Sequence, residues 1–138
     1  MKLADFQIEF VATEAILPNE AHCATHAAEL ANAMKGSGLW RVPIVLERES
    51  LAVMDGHHRL AAARSLGLAR VPVLRLEYRH VEVVASRDGF IVTPEAIVER
   101  SRRGRLYPEK TTRHVFPSPI PNCNISLILC QDGMQRQA

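Results

Sequence analysis

The chain has 138 residues, of which 47% are apolar and 23% charged. That length supports one domain around one modest core, and the proportions exclude a disordered or fibrous chain. No run approaches the roughly 18 apolar residues of a membrane span. The opening MKLADFQIEF carries acids where a secretory signal needs an unbroken apolar run, so a cytoplasmic protein is expected.

The net charge of +2 is unevenly spread. Residues 1–69 hold six Lys or Arg against eight Asp or Glu, and residues 70–138 hold eleven against seven. Most of the excess lies between Arg100 and Arg113, where six basic residues face one acid. Such a run suits phosphates, metabolite carboxylates or nucleic acid, or is simply a solvated face. Cys23, Cys123 and Cys130 lack metal-ligand spacing, and each is expected as a small, buried or half-buried apolar residue.

In chain order, Phe6, Ile8 and Phe10 alternate with polar neighbours and predict a first strand. Asn19 is a candidate N-cap for a helix starting at Glu20, with Ala27, Leu30, Ala31 and Met34 inward and Gly36-Ser37-Gly38 ending it. Glu20 would then sit in the first turn, pointing away from the bulk of the chain. Val42–Leu46 and Leu51–Met54 read as a hairpin around the polar bridge 47–50. Asp55-Gly56-His57-His58-Arg59 follows directly, and then a helix-forming run, Leu60–Leu66, closed by Gly67.

Val71–Leu74 and Val81–Val84 are further strands, and Thr93-Pro94 starts a short helix through about Arg102. Residues 104–122 hold a Gly and four Pro and are expected to be irregular; a structureless loop of that length is more often functional or disordered than neutral. Ile125–Leu129 is expected as a last strand, with a frayed tail after about residue 130. The sum is one domain over 1–138, of mixed α/β (α+β) class, with short helices on a small curved sheet.

The 55–59 junction is the first site candidate. Unpaired N–H groups at a helix start attract anions. Gly56 permits close backbone approach, Arg59 offers a planar fork to phosphoryl oxygens, and His57 and His58 add donors. Asp55 has three readings: a magnesium ligand through water, an orienting partner for His57, or a plain helix cap. Neither the Walker string nor the dinucleotide fingerprint is present.

The second candidate is Tyr107-Pro108-Glu109-Lys110-Thr111-Thr112-Arg113-His114, within the Pro-rich segment. Lys110 is a mobile point charge, Arg113 a bidentate clamp, and Thr111 and Thr112 are neutral donors or acceptors, a set suited to a small oxygenated substrate. Trp40 is open to two readings, stacking on a base or core packing.

The string DGHHR after an apolar strand resembles the signature of the ParB/sulfiredoxin superfamily. Together with Leu17-Pro18-Asn19-Glu20 upstream and KTTRH downstream, it resembles the free L-serine kinases, from about residue 3 to 120. The resemblance implies a ParB/sulfiredoxin-like domain that moves a phosphoryl group from ATP or ADP to the hydroxyl of L-serine. It implies Glu20 as catalytic base, and Asp55, Gly56, His57, His58 and Arg59 around the nucleotide phosphates, with Asp55 also in catalysis. Lys110, Thr111, Thr112, Arg113 and His114 would grip serine, and magnesium would be held mainly through the phosphates. No specific nucleic acid and no membrane is expected as partner, and the chain is expected as a monomer or homodimer.

The rival is a ParB-like nucleotide-binding module, using CTP or ATP, with a regulatory or DNA-associated role. A sulfiredoxin-like repair enzyme needs a reactive Cys inside the turn, where this sequence has His57 and His58. The whole phosphotransfer reading requires the 55–59 turn, the 110–114 segment and Glu20 to meet at one cavity.

Overall fold

The computed structural model describes residues 1–132. Its centre is a four-stranded sheet of β1 (Glu9–Ala12), β5 (Arg70–Leu76), β3 (Ile44–Glu47) and β4 (Val53–Asp55), in the order β1-β5-β3-β4. β3 runs parallel to β5, and the other two pairings are antiparallel. The parallel pair is joined through β4 and α2 (His57–Ser65), a crossover such a pairing requires. Two short ribbons flank this sheet: β2 (Leu39–Trp40) with β8 (Ile125–Ser126), and β6 (Glu82–Ala85) with β7 (Thr112–Val115).

β3 is apolar without alternation because both its faces are covered. Ile44 and Leu46 point into a core with Met34, Trp40, Leu60 and Val73, closed by α1 (Ala24–Ser37) and α2. Val45 points the other way, toward Leu3, Leu74, Leu76 and Val81, with Phe6, Tyr78 and Phe116 around them. Trp40 is core: fully buried, its indole N–H donates to the Val42 carbonyl at 2.7 Å. The hairpin and α3 (Pro94–Arg103) stand where the sequence predicts them, whereas α2 begins three residues earlier than expected, so that His57, His58 and Arg59 form its first turn; the Thr93 side chain caps α3 by accepting from the Ala96 N–H.

Five further expectations are corrected. The first strand is Glu9–Ala12; Phe6 and Ile8 precede it and pack on the second core, and Phe10 is largely exposed. α1 begins at Ala24 rather than Glu20, because the backbone of residues 19–21 pairs with Tyr107 instead: Tyr107 N–H donates to the Asn19 carbonyl, and Ala21 N–H to the Tyr107 carbonyl. Segment 104–122 contains a strand, β7, whose partner β6 lies about thirty residues earlier and so leaves no local signal. The last strand stops at Ser126, whose hydroxyl accepts from Ile128 N–H and turns the chain into a 3₁₀ turn, Leu127–Cys130. Cys23 is exposed, whereas Cys123 is half-buried and Cys130 buried. The expected fraying concerns mainly residues 133–138, which lie outside the described part; Cys130 and Gln131 are held by hydrogen bonds to Ala69 and Arg70. Among the described residues no helix is long and apolar enough to cross a membrane.

Replacing Trp40 with Ala removes the largest buried side chain that joins α1, β3 and the C-terminal ribbon. A loss of about 3–5 kcal/mol in unfolding free energy is expected, read from urea denaturation.

Candidate functional site

The site is built around one carboxylate. Released from α1 by the pairing with Tyr107, Glu20 turns toward the turn that opens β7. Its Oε1 accepts from the N–H groups of Thr111 and Thr112, at 3.1 and 2.8 Å, and from the Thr112 hydroxyl at 3.0 Å. Its Oε2 accepts one longer bond, 3.3 Å, from Lys110 N–H. Three successive amides thus wrap a single carboxylate, the arrangement of an anion-binding nest. Lys110 reaches this turn with φ of 59°, a left-handed conformation uncommon outside glycine. Thr111, fully buried, braces the turn by donating from its hydroxyl to the Pro108 carbonyl at 2.6 Å.

Asn19, one residue earlier, is fully buried and cross-links the site. Its side-chain amide donates to the Val53 carbonyl at 2.8 Å, and its backbone N–H donates to Nε2 of His57 at 3.1 Å. In the same way Cys23 N–H donates to Nε2 of His58 at 3.0 Å. Both imidazoles therefore use Nε2 as an acceptor, which requires neutral rings with the proton on Nδ1. Burial pushes the His57 pKa down to about 3, and the nearby His114, His58 and His22 push in the same direction. Burial and the neighbouring His26 and His22 lower that of His58, against a weaker opposite pull from Glu109 and Glu20. His26 packs on His58 with ring centroids 4.3 Å apart. The two histidines of the turn are thus pins and neutral donors, not cations.

Gly56 precedes α2 with φ of 117°, and a Cβ there would lie 3.1 and 3.2 Å from two Ile44 carbons and 3.3 Å from Arg59 Nη2. Only glycine fits. One turn on, Arg59 donates to Asp55 Oδ2 at 2.8 Å, while its buried Nε has no partner. An orphaned guanidinium N–H at a helix start suits an anionic ligand. Arg59 also lines a largely apolar groove of about 170 Å³, with Leu30, Met34, Leu39 and Val42 and with Ser37 and Arg41. A second cavity of about 220 Å³ is lined by Glu20, His22, His57, Arg64 and Leu106.

His114 lies on β7 with its pKa lowered to about 4 by burial, against an upward pull from Asp55. Glu20 links the two motifs: it bonds the 110–112 turn and lines one cavity with His57, and His114 lies within electrostatic reach of Asp55 and His57. Arg113 does not join them: strand alternation turns it outward with Val115, opposite Thr112 and His114. Asn19 as a cross-link and Tyr78, which bonds His114, are not legible in the sequence, because each acts through a partner more than thirty residues away. Among the described residues no three metal-ligating side chains converge. At the start of α2 a magnesium ion would find one carboxylate, Asp55, whose Oδ1 is the oxygen not bonded to Arg59, and its remaining ligands would have to be phosphates and water, the usual arrangement for that ion.

The mixed sheet with its flanking helices makes a small α/β domain whose fold matches ParB/sulfiredoxin-like structures. Within that class, the fold is similar to that of solved free serine kinases. A free serine kinase in complex with AMP superposes with a TM-score of 0.80 at 17% identity, over 91% of this chain and 94% of that one. SbnI with a C-terminal truncation, from Staphylococcus aureus, gives 0.80 at 11% identity, over 91% and 89%. A conserved hypothetical protein from Pyrococcus furiosus gives 0.80 at 16% identity, over 94% and 100%. By sequence, a ParB-like protein of Sulfolobus acidocaldarius is 25% identical over 96 residues, 70% of this chain and 48% of that protein. The chain thus spans about half the length of this curated relative. No protein-family model matches the sequence.

The neutral histidines set a pH dependence. With folded pKa values of about 3 for His57 and about 4 for His114, both below the ordinary 6.5, only the unfolded chain takes up these protons as pH falls below 6.5. Stability should therefore drop from about pH 6.5 toward pH 4, by up to about 1.4 kcal/mol per pH unit for each histidine. Urea midpoints measured across this range should show the fall, and a His114→Gln variant should flatten it.

Proposed function

We propose that the chain is a free L-serine kinase that moves a phosphoryl group from ATP or ADP to the serine hydroxyl, giving O-phospho-L-serine. The observation that carries this reading is the meeting of Glu20, the amide-rich turn at 110–112 and the Gly56–Arg59 turn at one place. Phosphoryl transfer needs a base near the acceptor oxygen and donors around the transferring oxygens. The likeness in fold to a serine kinase that binds AMP supports it further.

In this reading the N–H groups at the start of α2, with Arg59 and the Nδ1–H donors of His57 and His58, hold the nucleotide phosphates. The largely apolar groove beside Arg59 takes the nucleoside. Thr112, His114 and Lys110 orient serine. Magnesium, held by the phosphates and Asp55, would neutralise charge on the phosphoryl oxygens. Glu20 aligns the hydroxyl through Oε2, the oxygen with acceptor capacity to spare, since Oε1 already takes three bonds. As the serine oxygen forms the new P–O bond and the bond to the leaving nucleotide breaks, the hydroxyl proton passes to Glu20. An alcohol is too weak an acid to lose it earlier.

Glu20 has a second duty, holding the turn, and two variants separate the duties. Gln at position 20 keeps a carbonyl for the amides of 111 and 112 but cannot take a proton. Glu20→Gln should lower kcat by about 10²–10⁴-fold with little change in serine KM. Glu20→Ala should add a rise in KM, because the turn loses its anchor. The assay is phosphoserine formation with ADP, ATP and CTP against serine, threonine and homoserine. A Gln variant that turns over at the parent's rate removes Glu20 as base; CTP binding without transfer to any acceptor favours the ParB-like nucleotide-binding reading over the kinase.

A further inference from the structure

His114 stands out by how tightly it is held. Its ring lies between two aromatic neighbours: Tyr78, centroids 5.6 Å apart and tilted by 33°, and Phe116, 6.2 Å apart and nearly parallel at 17°. Its Nε2 lies 2.8 Å from the Tyr78 hydroxyl oxygen. Tyr78 sits in the 3₁₀ turn after β5, on a different segment from every other residue of the site, and packs against the second core.

The direction of this bond follows from partner counting. A half-buried hydroxyl proton without an acceptor is costly. Among the described residues the Tyr78 hydroxyl makes no second hydrogen bond to protein, so a proton on Nε2 would leave the phenol proton with solvent alone as partner. Burial also keeps this phenol protonated, raising its pKa above the ordinary value of 10. We propose that Tyr78 is a positioning residue: its hydroxyl donates to Nε2 of His114, fixes the ring in the tautomer protonated at Nδ1, and leaves that N–H as a neutral donor for the acceptor substrate. Asp55 and His57 both lie within electrostatic reach of this imidazole. The three histidines His57, His58 and His114 then share one pattern, Nε2 accepting from the protein and Nδ1–H left for ligand. The effect on turnover rests on the serine kinase reading; the tautomer does not.

The test uses the full chain labelled with ¹⁵N. Long-range ¹H–¹⁵N correlations at pH 7, with the His114 signals assigned by their loss in His114→Gln, should show a pyridine-like Nε2 and a protonated Nδ1. In Tyr78→Phe, which keeps the ring packing, the two nitrogen shifts should move toward one another as tautomers exchange. In the kinase assay Tyr78→Phe should raise acceptor KM about fivefold, by more than it lowers kcat, and should add nothing in the His114→Gln background. A parent spectrum with Nε2 protonated or with mixed tautomers, an unchanged spectrum in Tyr78→Phe, or additive losses in the double variant would overturn the proposal. If the parent forms no phosphoserine, the kinase reading fails, and the parent spectrum alone decides the tautomer.

Discussion

A single carboxylate organises this molecule's functional end. Glu20 collects three backbone N–H groups and one hydroxyl from Lys110, Thr111 and Thr112, and thereby ties the start of the chain to the ribbon that carries His114. Charge-assisted bonds of this kind are roughly twice as strong as neutral ones. The arrangement is also the reason α1 starts late. A helix begun at Glu20 would direct residues 19–21 into its first turn and leave both the Tyr107 pairing and the amide nest without a partner.

The second organising feature is the suppression of positive charge. Read as sequence, DGHHR and KTTRH are dense with bases. In the fold, His57 and His58 accept backbone N–H bonds, His114 is half-buried against two rings, Arg59 is matched by Asp55 and Arg113 faces outward. What remains beside Glu20, Asp55, Arg64 and Lys110 is a set of oriented N–H dipoles. Such dipoles need no reorganisation when charge shifts along a transferring group, which is where preorganised sites gain most over water.

The sequence and the fold agree where the signal is local. The hairpin, α2 and α3 are each announced by neighbours: a polar bridge between apolar runs, a glycine before an alanine-rich helix, Thr-Pro before another. The glycine and arginine of the turn after β4 are legible for the same reason. The rest depends on partners far away in sequence. Asn19 has the right chemistry for an N-cap, and its amide is drawn off by Val53; β7 is invisible without β6; Tyr78 looks like any half-buried tyrosine until His114 arrives beside it. That Glu20 belongs with KTTRH is carried in the sequence only by the resemblance to the serine kinases, because no spacing rule links residues some ninety positions apart.

That separation governs how the chain assembles. The bonds from Lys110 and Thr112 to Glu20 join residues 90 and 92 positions apart, whereas α1, the β3–β4 hairpin and α2 form from contiguous segments. Closing a long loop costs more entropy than closing a short one, and non-local contacts are slow to form. On this ground α1, α2 and the β3–β4 hairpin are expected to form before the nest. Amide exchange at residues 110–112 should accordingly be faster than in β3 or β5, as expected for the low-stability end of a fold where ligand-gripping loops are commonly found.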